Sequence, residues 1–308
     1  MSNTDSLYGA IEAGGTKFIC AVGSSPRSIH ASCRIPTTTP DETLGRVQAF
    51  FHEHQNALQA IGIGSFGPID VRTGSPTHGQ ILQTPKTEWS CTDLGTRIRE
   101  SVGVPVAIET DVNTSAISEA RWGAGRNVDT LLYLTVGTGI GGGYIVNGHC
   151  LHGLLHPEMG HIRVPRHPDD DFEGGCPYHG DCLEGLASGA ALESRWGTSP
   201  KYLPDDHLAW DIEAHYLAHA CATFVYTLSP ERIILGGGVM NRSPLIPKIR
   251  RHLARCLAGY PTLSPLSPNG IDAYLVPPAL GQKAGIVGAL MLAENLASQA
   301  NTTPLDAT

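Results

Sequence analysis

The chain has 308 residues, 41% of them hydrophobic and 16% charged, enough apolar material for about two globular domains. A formal net charge of -8 and the lack of any long Lys/Arg run argue against a nucleic-acid surface, and no apolar run reaches the length of a membrane span. Neither nucleic acid nor a membrane is therefore expected as a partner. The opening MSNTDSLYGAIEAGG lacks the basic and apolar regions of a signal peptide, so a cytoplasmic location is expected. Eight cysteines in a chain of this size do not suggest a disulfide scaffold.

Leu7 to Glu12 reads as a strand, Gly14, Gly15 and Thr16 as a tight turn, and Phe18 to Val22 as the returning strand of a hairpin. Consecutive glycines let backbone N–H groups approach an anion, and Thr16 and Lys17 add a hydroxyl and an ammonium. The tip reads either as a phosphate cradle or as an ordinary hairpin. It is not a Walker A loop, because GxxxxGK[ST] occurs nowhere. Ile29 to Ile35 continues the strand pattern, and Asp41 to Ala57 reads as an amphipathic helix. Ala60 to Gly64 is a short buried strand feeding SFGPID, where Gly67, Pro68 and Asp70 form a turn at the sheet rim. Ser65 fails the GxSxG pattern by one position, which removes a hydrolase elbow. Arg72 to Lys86 is rich in Gly, Pro, Thr and Ser and reads as irregular; Trp89 beyond it offers either packing or an aromatic surface for a ligand.

Val104 to Ile108 reads as a buried strand and Asp111 to Gly123 as the helix after it. Asp111 thus stands at the carboxyl end of a strand, where open α/β sheets bind ligands, and is the candidate catalytic acid; the competing role for Asp111 or Thr110 is to cap the helix. Thr130 to Val136 is a strong strand, followed by GTGIGGG at 137–143 and then YIVNG. GxGxxG is matched at Gly137, Gly139 and Gly142, but a dinucleotide fingerprint needs a helix directly after the glycines, and here another strand pattern ends in an Asn-Gly turn. Two glycine-tipped hairpins suggest a duplicated architecture that holds the phosphates of a nucleotide between its halves.

CPYHGDC at 176–182 places Cys176, His179 and Cys182 in a glycine-rich loop, a spacing and ligand set suited to tetrahedral zinc. The fourth ligand is open among His152, His156, His161 and His167. A closed four-ligand site is structural, and such a metal supplies about 10 to 16 kcal/mol toward ordering a loose segment. Ala209 to Leu228 reads as a long helix and Arg232 to Leu235 as a strand ending in Gly236, Gly237 and Gly238. With a helix from about Pro244 to Leu257, this is a third place where backbone is brought close to a ligand. Tyr274 to Val276 is the last strand, Ala284 to Ala297 the last helix, and NTTPLDAT at 301–308 reads as a disordered tail.

In this order the segments resemble the ROK family of sugar kinases and repressors, over about Leu7 to Glu294. IEAGGTK is similar to the family's first phosphate loop, GTGIGGG to its second, and ILGGGV to its adenosine-binding turn. HPEMGH at 156–161 resembles the sugar motif, and CPYHGDC the zinc loop, which nominates His161 as the fourth ligand beside Cys176, His179 and Cys182. The resemblance implies an α/β, actin-like ATPase (ribonuclease H-like) duplicated fold with an interdomain cleft and a small zinc-binding subdomain. The expected domains are 1–112 with 284–308, and 113–283. It further implies ATP and Mg2+ as cofactors with structural Zn2+, and a small-molecule hexose as substrate. A homodimer is expected because family members are often dimers. Asp111 becomes the base. Gly67, Thr110, Glu158, His161 and Glu184 become sugar contacts, and Gly14, Gly15, Thr16, Lys17, Gly137, Thr138, Gly139, Gly236, Gly237 and Gly238 bind the nucleotide.

Glucokinase-like members generally read END and CxCGxxGC where this chain has ETD at 109–111 and CPYHGDC. Both variants, with SFGPID and TPK at 84–86, resemble the fructokinase branch. The expected reaction is therefore ATP-dependent phosphorylation of fructose at O6, with glucose or mannose kinases as alternatives. A sugar-sensing regulator is a further alternative, but such members usually carry a helix-turn-helix ahead of the first phosphate loop, and only about seven residues precede Tyr8 here.

Overall fold

The computed structural model describes residues 6–302, which divide into two units. The first holds the chain up to Ser118, with His152–His156 and the chain from Gln282 on; the second holds Glu119–Leu151 and Pro157–Gly281.

In the first unit, alternating apolar residues build β1 (Leu7–Ala13), β2 (Lys17–Ser25) and β3 (Ser28–Pro36), followed by α1 (Pro40–His52) and β4 (Leu58–Ser65). Then come α2 (Leu94–Val102), β5 (Val106–Thr110) and α3 (Asp111–Trp122). The predicted helix to Ala57 stops at His52. A 3-10 turn at Gln55–Ala57 follows, with Gln55 Nε2 donating to Val102 O at 3.0 Å, so the chain can drop into β4. Helix α2 was absent from the sequence reading although its signals are present: Asp93 accepts Thr96 N–H, and Gly103 closes the helix at φ +80°. Trp89 is fully buried, 5.2 Å from the Phe18 ring and 5.7 Å from Phe66, and its Nε1 donates to Thr38 O. It is therefore a core residue and offers no aromatic surface to a ligand.

The second unit contains β6 (Thr130–Val136), β7 (Ile140–Val146), β8 (His149–Cys150), α4 (Leu183–Ala187), α5 (Gly189–Trp196) and α6 (Ala209–Leu228). It continues with β9 (Arg232–Gly236), α7 (Leu245–Leu257), α8 (Ile271–Tyr274) and β10 (Leu275–Val276), after which α9 (Ala284–Thr302) returns to the first unit. Tyr274, predicted in the last strand, ends α8 instead, its hydroxyl donating to Pro230 O. Only the first three residues of GTGIGGG form the hairpin tip; the later glycines lie in β7. Helix α9 runs five residues beyond its predicted end at Ala297 and takes in Asn301 and Thr302, the first two residues of the predicted disordered tail; the rest of that tail lies outside the described residues.

The sheets run β3-β2-β1-β4-β5 and β8-β7-β6-β9-β10. In each, an antiparallel three-strand meander is extended by two parallel strands beside its first strand. This common topology is the duplication expected from the two hairpins. Helix α9 lies on β1 and β4, where Gly62 lets it in: a Cβ there would run into the Ala289 carbonyl. The core of this unit includes Ile11, Phe18, Phe51, Ile61 and Ile63, all fully buried. Trp210, Tyr216 and Leu217 of α6 lie against β6 and β9 residues such as Leu134 and Ile233 in the other core. Among the described residues, no helix is long and apolar enough to cross a membrane.

Candidate active site and metal centre

Parallel strands β4 and β5 end together, Ser65 opposite Thr110, and so bring two loops to one rim of the first sheet. Thr110 Oγ1 accepts Asn113 N–H at 3.1 Å and caps α3. The capping role thus goes to Thr110, which is 3% exposed, while its hydroxyl proton is left over as a donor. Asp111 begins the helix; its Oδ1 takes Val112 N–H at 2.9 Å, and Thr114 Oγ1 donates to its carbonyl. Gly67 is joined to Pro68 by a cis peptide and lies against His156, whose Nε2 accepts Ile69 N–H at 3.2 Å. The loop after Gly67 is secured by Asp70. This buried carboxylate accepts from Arg72 Nε and Nη2, Ser75 Oγ and Thr77 Oγ1, bonds that hold it well below the usual carboxylate range.

Two further groups at this rim escaped the sequence reading. Glu109 is buried, accepting Thr110 N–H and Asn113 Nδ2, each at 2.8 Å, on Oε1 and facing His152 Nε2 at 2.9 Å on Oε2. Burial opposes its ionisation, but His152, Asn113 and the backbone together hold its pKa low. At the end of β1, Glu12 has its pKa raised by burial against the pull of Lys17, and its Oε2 is buried with no hydrogen-bond partner among the described residues. Next to it, the first glycine tip is closed by Gly14 N–H donating to Lys17 O at 3.0 Å, with Gly15 and Thr16 exposed.

In the second unit, Gly137 N–H donates to Gly139 O at 2.9 Å to close the second tip, around Thr138. Glu184, in the first turn of α4, accepts Ile140 N–H at 2.9 Å, and a Cβ on Gly139 would lie 2.6 Å from that carboxylate oxygen. The third glycine site meets the second: Gly237, at φ +95°, is packed against the backbone of Val136, directly before Gly137. Gly236 packs on the Tyr133 hydroxyl, and Gly238 has no neighbour within 4 Å of its Cβ position. The two nucleotide-loop candidates of this unit therefore share one edge of the sheet.

His161, Cys176, His179 and Cys182 converge with one ligand atom each, all within 4.8 Å of one another. The loop is shaped by Cys176 and Gly180 exchanging both backbone hydrogen bonds and by positive φ at Gly174 and Gly180. Leu183 N–H donates to Ile162 O, which brings His161 beside Cys182. His161 Nδ1 stands 3.5 Å from Cys182 Sγ and 3.8 Å from Cys176 Sγ, and His179 Nδ1 stands 3.6 Å from Cys176 Sγ. Two thiols and two imidazoles at this separation fit a closed tetrahedral metal site of the kind zinc prefers. The other three histidines are engaged elsewhere: His152 with Glu109, His156 with Ile69, and His167 Nδ1 with Asp169 N–H. With Nδ1 facing the thiols, His161 Nε2 is 4.0 Å from Glu158 Oε2. Glu158 is 41% exposed yet desolvated by the surrounding protein, which, together with the Glu184 carboxylate, pushes its pKa up to about 7.

The ROK family's sequence model matches residues 8–296. A Bacillus subtilis protein named putative fructokinase is 47% identical over 287 residues, covering 93% of this chain and 95% of that one. A Zymomonas mobilis fructokinase is 45% identical over 300 residues, 95% of this chain and 98% of its own. Among solved structures, a Streptomyces griseus ROK family glucokinase in complex with glucose and AMPPNP superposes with a TM-score of 0.74 at 28% identity, covering 94% of this chain and 99% of that chain.

Proposed function

Since the chain belongs to the ROK family, we propose that it transfers the γ-phosphoryl group of ATP to the primary O6 hydroxyl of D-fructose, giving fructose 6-phosphate and ADP. The observation that carries this reading is identity of 40% or more, over nearly the whole chain, to relatives named fructokinase. Asp111 accepts the hydroxyl proton as O6 attacks the phosphorus and ADP leaves. The place of Asp111 at the carboxyl end of β5, at the start of α3, supports this role. Gly67 supplies backbone to the sugar on the neighbouring loop, and Thr110 retains a hydroxyl proton for it.

The glycine tips at Gly14–Lys17 and Gly137–Gly139 donate to phosphate oxygens the backbone N–H groups not used by Gly14 and Gly137 to close the turns, and Gly236–Gly238 lies against the adenosine. Glu12, whose buried Oε2 has no hydrogen-bond partner among the described residues, would suit Mg2+, which when bound would supply charge neutralisation on the phosphates. Zinc suits the His161, Cys176, His179 and Cys182 donor set, where it is structural. Ligation through Nδ1, the nitrogen that faces the thiols, would leave the proton of His161 on Nε2, from which it would donate to a sugar hydroxyl beside Glu158 and Glu184. A coupled assay of ATP consumption across fructose, glucose, mannose and N-acetylmannosamine tests the assignment. The highest kcat/KM is expected for fructose; a higher value for another hexose would reassign the substrate, and no turnover with any would favour a sugar-sensing regulator.

A further inference from the structure

At the rim that carries Asp111, an exposed imidazole is clamped by a buried carboxylate. The side chain of Glu109 is 8% exposed and that of His152 37% exposed, with Oε2 and Nε2 2.9 Å apart. Oε1 is occupied by Thr110 N–H and Asn113 Nδ2. Turning the carboxylate would therefore break bonds to both β5 and α3. The clamp fixes one orientation of the His152 ring and keeps its Nε2 protonated. Among the described residues, Nδ1 has no hydrogen-bond partner. Four residues on, His156 fastens the same segment to the Gly67 loop through Ile69 N–H. The segment 152–156 is thus pinned at both ends to the strand termini that bear Gly67, Thr110 and Asp111, with one ring nitrogen uncommitted.

An imidazole Nδ1 can accept from a hydroxyl when the ring is neutral and donate to one when it is charged, which suits a polyhydroxylated ligand. The Glu109 hydrogen bond, opposed in part by burial, raises the pKa of His152 and so extends the donating form to higher pH. We propose that His152 contacts the hexose, its Nδ1 hydrogen-bonding a sugar hydroxyl beside Asp111, and that Glu109 is the residue positioning it. The inference rests on the reading of Asp111 as the base for a bound hexose.

The test is steady-state kinetics of the full chain with fructose and ATP for His152→Ala, His152→Gln, Glu109→Gln and Asp111→Asn. His152→Ala should raise the fructose KM about tenfold to a hundredfold, the size of one lost hydrogen bond to a charged group. The ATP KM should stay within about twofold and kcat fall less than the fructose KM rises. Glu109→Gln should move the fructose KM in the same direction but less. His152→Gln can still donate to Glu109 but has no second ring nitrogen, so it should keep the wild-type melting temperature and show the raised KM, which covers the case of a poorly folded alanine variant. A fructose KM unchanged in folded His152→Gln, or ATP and fructose KM rising together, overturns the proposal. Asp111→Asn separates the two readings: full turnover in that variant removes the base, whereas a dead Asp111→Asn beside a wild-type fructose KM in His152→Gln removes only the His152 contact.

Discussion

The triple glycine that begins with the last residue of β9 holds different sites, and alanine substitution should separate Gly237 from Gly238. Gly237 sits at φ +95° with its Cβ direction blocked by the backbone of Val136, so neither rotation nor a side-chain shift makes room. A left-handed backbone costs a non-glycine residue about 1 to 2 kcal/mol, and overpacking against a fixed neighbour about 1 to 3 kcal/mol more. Gly237→Ala should therefore lose about 2 to 5 kcal/mol, from a total stability of about 5 to 15 kcal/mol, and melt on the order of 10 °C lower while still folding. Gly238 has φ -64° and open space around its Cβ, so Gly238→Ala should change stability by less than about 0.5 kcal/mol. Its new methyl group instead enters space assigned to the nucleotide, so the ATP KM should rise while the fructose KM holds. Thermal melts and KM for both substrates, measured on the two variants, decide the matter. Equal melting losses in the two variants would refute the packing argument, and an unchanged ATP KM in Gly238→Ala would refute the nucleotide assignment.

Other consequences follow from the metal loop and from Asp70. The protein as purified should carry about one zinc per chain, and Cys176→Ser should lose it together with fructose affinity, because His161 and Glu184 flank the loop; elemental analysis showing no zinc would contradict this. Asp70→Asn should cost about 2 kcal/mol, a value reduced from that of a fully buried pair because Arg72 is 47% exposed. The native pKa of Asp70 is depressed below its ordinary 3.8, so its contribution is present in full above about pH 4 and is lost as pH falls through the native value. The stability gap between wild type and Asp70→Asn should be the same at pH 5 and pH 7 and narrow in strong acid, as urea unfolding at several pH values would show; a gap that widens below pH 4 would contradict the sign.

The duplicated fold was legible because apolar runs of period two meet at glycine tips, and tip and strand are both local properties. The metal loop was legible for a similar reason, since three ligands fall within seven residues. Spacing left its fourth ligand open, because His152, His156, His161 and His167 precede the loop at unremarkable spacings, and the family resemblance alone nominated His161, which the pairing of Ile162 and Arg163 with Leu183 and Cys182 brings beside the thiols. The competition between Asp111 and Thr110 for the helix cap depends on one side-chain rotamer, which composition does not encode. The pairing of Glu109 with His152, which the sequence offered only as a metal-ligand option, escaped notice because it joins a strand end to a distant loop. Glu12 read as one more strand residue, and its orphan oxygen exists only once α9 packs beside it. Trp89, read as an option for ligand contact, is a core residue because Phe18 and Phe66 close around it.

The role of Asp111 is open to one direct measurement, the turnover of Asp111→Asn with fructose and ATP set beside its equilibrium affinity for fructose. Removal of a general base is expected to lower kcat by about 10^2 to 10^4, with the dissociation constant for fructose within a few-fold of wild type. Turnover at the wild-type rate, with the sugar bound as tightly as before, would contradict the assignment of Asp111 as the base.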